Sequence, residues 1–169
     1  VDYICDEFRL ATQGIYSADE QSVNYYQRPT KGAAMALIAR LRLFQASPLF
    51  NGGAAARKCF GTWKRKSDGA YYVNQEYDPR RWAVAAAAAK QLTKMGYELH
   101  TVEADAQNPY PLASNVPTAN FPDGAGNIDP YHSYSDMFTG EGIIQTNKEF
   151  IWAMESSNVT NYTHHSFPV

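Results

Sequence analysis

Tyr110, Tyr131 and Tyr134, with Asn108, Asn120 and Asp136 near them in the chain, are the residues whose types suggest ligand chemistry. A tyrosine ring offers a flat apolar face to the C–H-rich side of a sugar, and its hydroxyl adds a polar handle. Amide and carboxylate groups exchange hydrogen bonds with hydroxyls, and a few of them around an aromatic lining make a small-molecule site. Tyr110, Tyr131, Tyr134 and Asp136 are therefore the candidate ligand-binding residues. The competing reading is that these tyrosines only staple a proline-rich segment onto neighbouring helices.

Other chemistries find little support. The chain contains no GxSxG, HExxH, P-loop or GxGxxG pattern, and a glycosidase carboxylate pair cannot be picked out by composition. No catalytic residue is assigned, and no cofactor is implied. Asp123, Asn127 and Asp129 in DGAGNID faintly resemble a calcium loop. Ala125 occupies the third ligand position, however, and no acidic residue stands at the twelfth, so a turn is the better reading. His164 and His165 are adjacent and would point to opposite faces of a strand, which argues against a shared metal. Cys5 and Cys59 are the only cysteines and neither lies in a CxxC, which excludes a zinc ribbon. They are read as small apolar core residues, with one disulfide as the alternative.

Fifteen Lys+Arg against seventeen Asp+Glu give a net charge of −2, which argues against a nucleic-acid footprint. Three small basic clusters, Arg57-Lys58, Lys64-Arg65-Lys66 and Arg80-Arg81, are read as solvated surface because no basic stripe joins them.

The elements that must position the candidate residues are helical. Ile4, Phe8, Ala11 and Ile15 recur at helical spacing and predict a helix over Asp2–Ile15. In TKGAAMALIARLRLFQASPLFNGG, Thr30 is an N-cap, and Pro48 must end the helix near Ala46 because it forces Ser47 out of the α region. The run between them is apolar nearly all round. At about fifteen residues with two arginines it is too short to span a membrane, which takes about twenty mostly apolar ones. Other helices must cover it.

Ser67-Asp68-Gly69 between two short runs predicts a β-hairpin. Asp78 and Pro79 then open a third helix that Gly96 closes. Its alanines, 83 and 85 to 89, let a neighbouring backbone approach closely. The expected contact sets Leu37, Leu41 and Phe44 against Trp82, Ala85, Ala89 and Leu92, with the two helices antiparallel. From Tyr97 to Gly142 the periodicity dissolves, and five of the nine prolines lie there, so a long surface loop is expected. KEFIWAMES alternates apolar side chains and predicts a strand-like end over about 146–156.

Three stretches carry a family resemblance: RPTKGAAMALIARLRLFQASPLFNGG, DPRRWAVAAAAAKQLTKMGYEL and TNKEFIWAMESS. In this order they resemble the SusD/RagB family of Bacteroidetes outer-membrane lipoproteins. The first is the most specific, with its Lys-Gly-Ala opening, Arg-bearing apolar helix and Ala-Ser-Pro-Leu-Phe-Asn exit. The resemblance implies a mainly α fold of tetratricopeptide-like helical hairpins, here over about 1–96, with the long irregular loop and short β-hairpin as excursions. It implies a non-catalytic, cell-surface binder of glycans or other nutrients that delivers its ligand to a SusC-like TonB-dependent transporter.

Location at the outer membrane would come only through the parent protein's lipid anchor, which neither Cys5 nor Cys59 supplies. Family members are longer, so the chain reads as an internal piece. Apolar segments at both ends then predict an exposed hydrophobic face. In a bacterial setting the tripeptides beginning at Asn158 and Asn161 carry no glycosylation meaning. A helical-repeat scaffold for protein partners is the alternative reading, and an α-helical glycosidase trails it.

Overall fold

The structure, a computed structural model, describes residues 1–25, 28–61, 63–139 and 147–152. They are mainly helical: α1 (Asp2–Ala11), α2 (Lys31–Ala46), α3 (Gly53–Phe60), α4 (Arg80–Leu92) and α5 (Pro130–Thr139), with strands β1 (Val102–Glu103) and β2 (Ile128–Asp129). The chain divides into two compact units at Met95–Gly96, where the sequence passes from helical core to proline-rich segment.

In the first unit α2 has the ends its sequence requires. Thr30 is extended and its Oγ1 accepts the Ala33 amide at 3.3 Å, while Ser47 turns extended (ψ 151°) before Pro48. Helix α1 stops at Ala11 rather than Ile15, because the amides of Gln13 and Gly14 bond back three residues, to Leu10 and Ala11, and tighten the turn. Arg42 pairs with Asp2, and the Lys31 amide donates to the Tyr16 carbonyl, so α1 and α2 run antiparallel.

Helix α3 opens at the glycine pair, over residues for which the sequence predicts no element. Gly52 and Gly53 adopt φ of 85° and 78°, which only glycine takes without strain, and Ala54–Ala56 then propagate a helix at once. The predicted hairpin reverses the chain at Gly69 (φ 72°) and holds a single antiparallel bridge, Lys64 to Tyr71.

Helix α4 opens at Arg80, one residue after the expected Pro79, with Asp78 Oδ1 accepting the Arg80 amide at 3.0 Å, and it ends at Leu92, a turn short of Met95. Asn51 is wholly buried. Its Nδ2 donates to the carbonyls of Ala46 and Asp78 and its Oδ1 accepts the Asp78 amide, so the exit of α2 is tied to the entry of α4. Helices α2 and α4 pack on each other and, being tied end to start, run antiparallel.

The contact face matches the expected one only in part, at Leu41 and Ala85. Cys5, Ile38 and Ala88 form its centre, flanked by Phe8, Met35, Ala39 and Leu41. Leu37 (38% exposed), Phe44 (52%) and Trp82 (41%) lie outside it, and Ala89 is exposed too. Buried small residues, Ala33 and Ala34 on α2 with Ala85 and Ala88 on α4, let the backbones close together and leave bulky side chains on the flanks. The cysteines divide as well. Cys5 belongs to the core but Cys59 is exposed, and both are free. Large apolar side chains exposed singly include Tyr3 and Leu10 on α1, Leu43 and Phe44 on α2, and Val84 on α4.

In the second unit β1 and β2 pair antiparallel, with Val102 opposite Asp129 and Glu103 opposite Ile128. Residues 147–152 do not form the expected strand. The Phe150 amide bonds to the Asn147 carbonyl in a turn, and the Lys148 carbonyl accepts a single amide, that of Glu98. The rest of that expected strand, His164-His165 and the two Asn-X-Thr tripeptides lie outside the described residues.

Candidate ligand-binding site

Three of the four candidate residues lie on α5, in the second unit, where a loop was expected. The helix starts where Asp129 precedes Pro130. Asp129 Oδ1 accepts the His132 amide at 2.9 Å, and Oδ2 sits 2.8 Å from His132 Nδ1. These bonds from His132 hold the Asp129 carboxyl below the ordinary carboxylate range. Ser133 Oγ donates to the Asp129 carbonyl and accepts the Val102 amide at 2.9 Å, which fastens α5 to the strand pair.

Helical periodicity then divides the side chains between two faces. Ser133, Asp136 and Met137 face inward. Asp136 Oδ2 is 3.5 Å from His100 Nε2, Met137 Sδ accepts Asn147 Nδ2 at 3.2 Å, and the His100 amide donates to Glu149 Oε2 at 2.7 Å. Tyr131 (54% exposed), Tyr134 (71%) and Phe138 (72%) face outward.

Tyr110 comes from the preceding loop and stacks on Tyr131, with ring centroids 5.2 Å apart and planes 8° from parallel. Tyr134 and Phe138 lean together at 5.1 Å with planes 51° apart. The structure thus places two ring pairs at α5, Tyr110 on Tyr131 and Tyr134 against Phe138, with Tyr131, Tyr134 and Phe138 in a row along its outer face; Phe138 is the member that sequence reasoning missed. Asp136 is set apart, its side chain 15% exposed and aimed at His100. Tyr110 and Tyr131 cover one face of each other, and Tyr134 and Phe138 are the most exposed rings of the set. Tyrosine hydroxyls, not the carboxylate, are the polar groups this row can offer.

Asn108 and Asn120 are exposed, but no side-chain contact ties either to the row. Two of the three calcium-loop candidates serve the backbone: Asn127 Oδ1 accepts the Phe121 amide at 2.7 Å, and Asp129 caps α5. That leaves a turn, as the spacing suggested.

The first unit carries a concave polar surface, an open cavity of about 480 Å³ lined by Asn74, Gln75, Glu76, Tyr77, Asp78 and Arg80. Its backbone is rigidly held. The Gln75 carbonyl accepts the Gly53 amide at 3.1 Å and Arg57 Nη1 at 2.9 Å, and a Cβ on Gly52 would lie 2.3 Å from the Glu76 carbonyl oxygen. No sequence signal beyond the glycine pair pointed to it.

No protein-family model matches the chain, and no curated protein matches it. Among solved structures it is similar in fold to BT4246, a Bacteroides thetaiotaomicron protein, at 24% identity and a TM-score of 0.60. The likeness covers 92% of this chain and 26% of that one, so the chain spans about a quarter of the length of the protein it matches.

Proposed function

We propose that this chain is part of a non-catalytic carbohydrate-binding protein of the SusD/RagB kind, displayed at the cell surface. The outward row of Tyr131, Tyr134 and Phe138 carries this reading. It is a set of ring faces mounted on a helix whose opposite face is locked to a strand pair, which is the way binding groups are held on a rigid base. The likeness in fold to a Bacteroides protein supports the reading, as do the three resembling stretches of sequence.

On this reading the parent protein captures an oligosaccharide and passes it to a SusC-like TonB-dependent transporter in the outer membrane, held there by its own lipid anchor. Stacking supplies most of the affinity. Each sugar hydroxyl must exchange its bonds to water for bonds to protein, so the net gain per sugar is small and Kd values in the micromolar to millimolar range follow. Calorimetry against a glycan panel, with Tyr134→Ala and Phe138→Ala beside the parent sequence, tests the assignment. Reducing sugar released over time would overturn its non-catalytic part.

A further inference from the structure

A second aromatic array lies in the first unit. Phe44, Phe50, Phe60 and Trp63 form a continuous ladder with ring-centroid steps of 6.5, 5.9 and 5.6 Å. It runs from the end of α2, through the connection to α3, to the start of the hairpin. It is not core: Phe44 is 52% exposed, Phe50 39% and Trp63 60%.

Three cations from three elements border it. The Arg40 guanidinium lies 5.9 Å from the Phe44 ring, Arg81 Nη1 is 3.5 Å from the Phe50 carbonyl oxygen, and Lys64 follows Trp63 with its ammonium 4.4 Å from Tyr71. None of the three has a carboxylate partner among the described residues.

The charge along this stretch of sequence is lopsided. Residues 40–95 hold eleven Lys and Arg against three Asp and Glu; of the cations, Arg65 and Arg80 pair with Asp68 and Asp78, and Arg42 pairs with Asp2 from outside the stretch. The chain's near-neutral total conceals this.

We propose that the ladder docks an acidic polypeptide segment, whose apolar side chains lie against the rings while its Asp and Glu residues meet Arg40, Lys64 and Arg81. The composition of the ladder favours polypeptide over glycan. Phenylalanine carries no hydroxyl to meet those of a sugar, and three of the four rings are phenylalanines, two of them stacked with planes 17° apart. Exposed aromatics rimmed by arginine are what the centres of protein–protein interfaces are made of. A field of one sign selects the opposite sign in the partner and speeds its approach.

A random peptide library displayed on phage and selected on the folded 169-residue chain tests this. Enriched sequences should set Leu, Phe or Trp beside Asp or Glu. Synthetic versions should bind at least tenfold more weakly to Trp63→Ser and to the double variant Arg40→Glu, Lys64→Glu, and more weakly as salt is raised. Circular dichroism checks that each variant folds, and the exposed Arg40 and Lys64 leave a usable variant if Trp63→Ser does not. Enrichment of neutral or basic sequences, no enrichment, or binding that the double variant leaves unchanged would overturn the proposal. Dextran sulfate bound in place of acidic peptides would make the face a polyanion site and overturn it as well. So would sedimentation showing a dimer that both variants dissolve, since the occupant would then be a second copy.

Discussion

Asn51 Nδ2 lies 3.0 Å from the carbonyl oxygen of Asp78, and Asn51 Oδ1 lies 3.2 Å from the amide of the same residue. One buried side chain thus satisfies both backbone groups of the residue that opens α4, and a third bond reaches back to the Ala46 carbonyl. The packing of α2 on α4 depends on this tie. Asn51→Ala should cost roughly 3 kcal/mol, at about 1 kcal/mol per lost bond with the desolvated backbone groups added. Urea unfolding measures it, and a change under about 0.5 kcal/mol would mean the bonds are replaced by water.

The glycines make a graded series. Gly52 has φ 85° and ψ −165°, and a Cβ there would sit 2.3 Å from the Glu76 carbonyl oxygen. Strain and overlap add, so Gly52→Ala should cost above about 3 kcal/mol. Gly69 has φ 72° but open space around it, and Gly69→Ala should cost about 1 kcal/mol. Gly14 has neither constraint, and Gly14→Ala should be neutral or slightly stabilising. Any other order of the three melting temperatures contradicts the elbow geometry.

At the helix seam, Ile38→Ala should destabilise by about 2–5 kcal/mol, whereas Leu43→Ala, at a side chain 55% exposed, should stay within about 1 kcal/mol. Ala88→Leu should also destabilise, by about 1–3 kcal/mol, since the small side chain sets the distance between α2 and α4. Thermal unfolding of the three variants distinguishes this seam from one built on Leu37, Phe44 and Trp82.

Acid should loosen α5 through its cap. The side-chain and backbone bonds from His132 lower the folded-state pKa of Asp129 beneath its ordinary 3.8. For a carboxyl shifted down, the stabilisation is complete above the unfolded value and is lost as pH falls through the folded one. Helicity in the second unit should therefore hold at pH 5 and fall below about pH 4. Asp129→Asn keeps a capping acceptor and removes the titration, so it should flatten that acid limb. Backbone amide NMR of α5 between pH 6 and 2.5 reads the change, and an acid limb that persists in Asp129→Asn would assign it to other carboxylates.

The punctuation of α2 was legible because each signal was local: a Thr cap, a Ser-Pro stop, an Asn-Gly-Gly exit. The same Asp-Pro signal that revealed α4 at Asp78-Pro79 recurs at Asp129-Pro130, yet it was hidden by the neighbouring prolines, and α5 was read as loop. The misplacement of Asp136 followed. In a loop, nearness in sequence suffices to group it with Tyr134, but in a helix a step of two residues points the side chain to the other face. The seam was half legible. That α2 meets α4 follows from the alanines, but which residues fill the contact depends on how far α2 and α4 rotate, and near-uniform apolarity leaves that rotation unspecified. Nothing local announces that Phe44, Phe50, Phe60 and Trp63 converge, because three separate segments contribute them.

Isothermal titration calorimetry of the chain against a panel of oligosaccharides, repeated with Tyr134→Ala and Phe138→Ala, tests the central claim most directly. Both side chains are more than 70% exposed, so the variants should fold and melt as the parent does. The account predicts saturable binding of at least one glycan, weakened about tenfold or more by each substitution, with no reducing sugar released. Binding that both substitutions leave unchanged, or binding to no glycan in the panel, would contradict it.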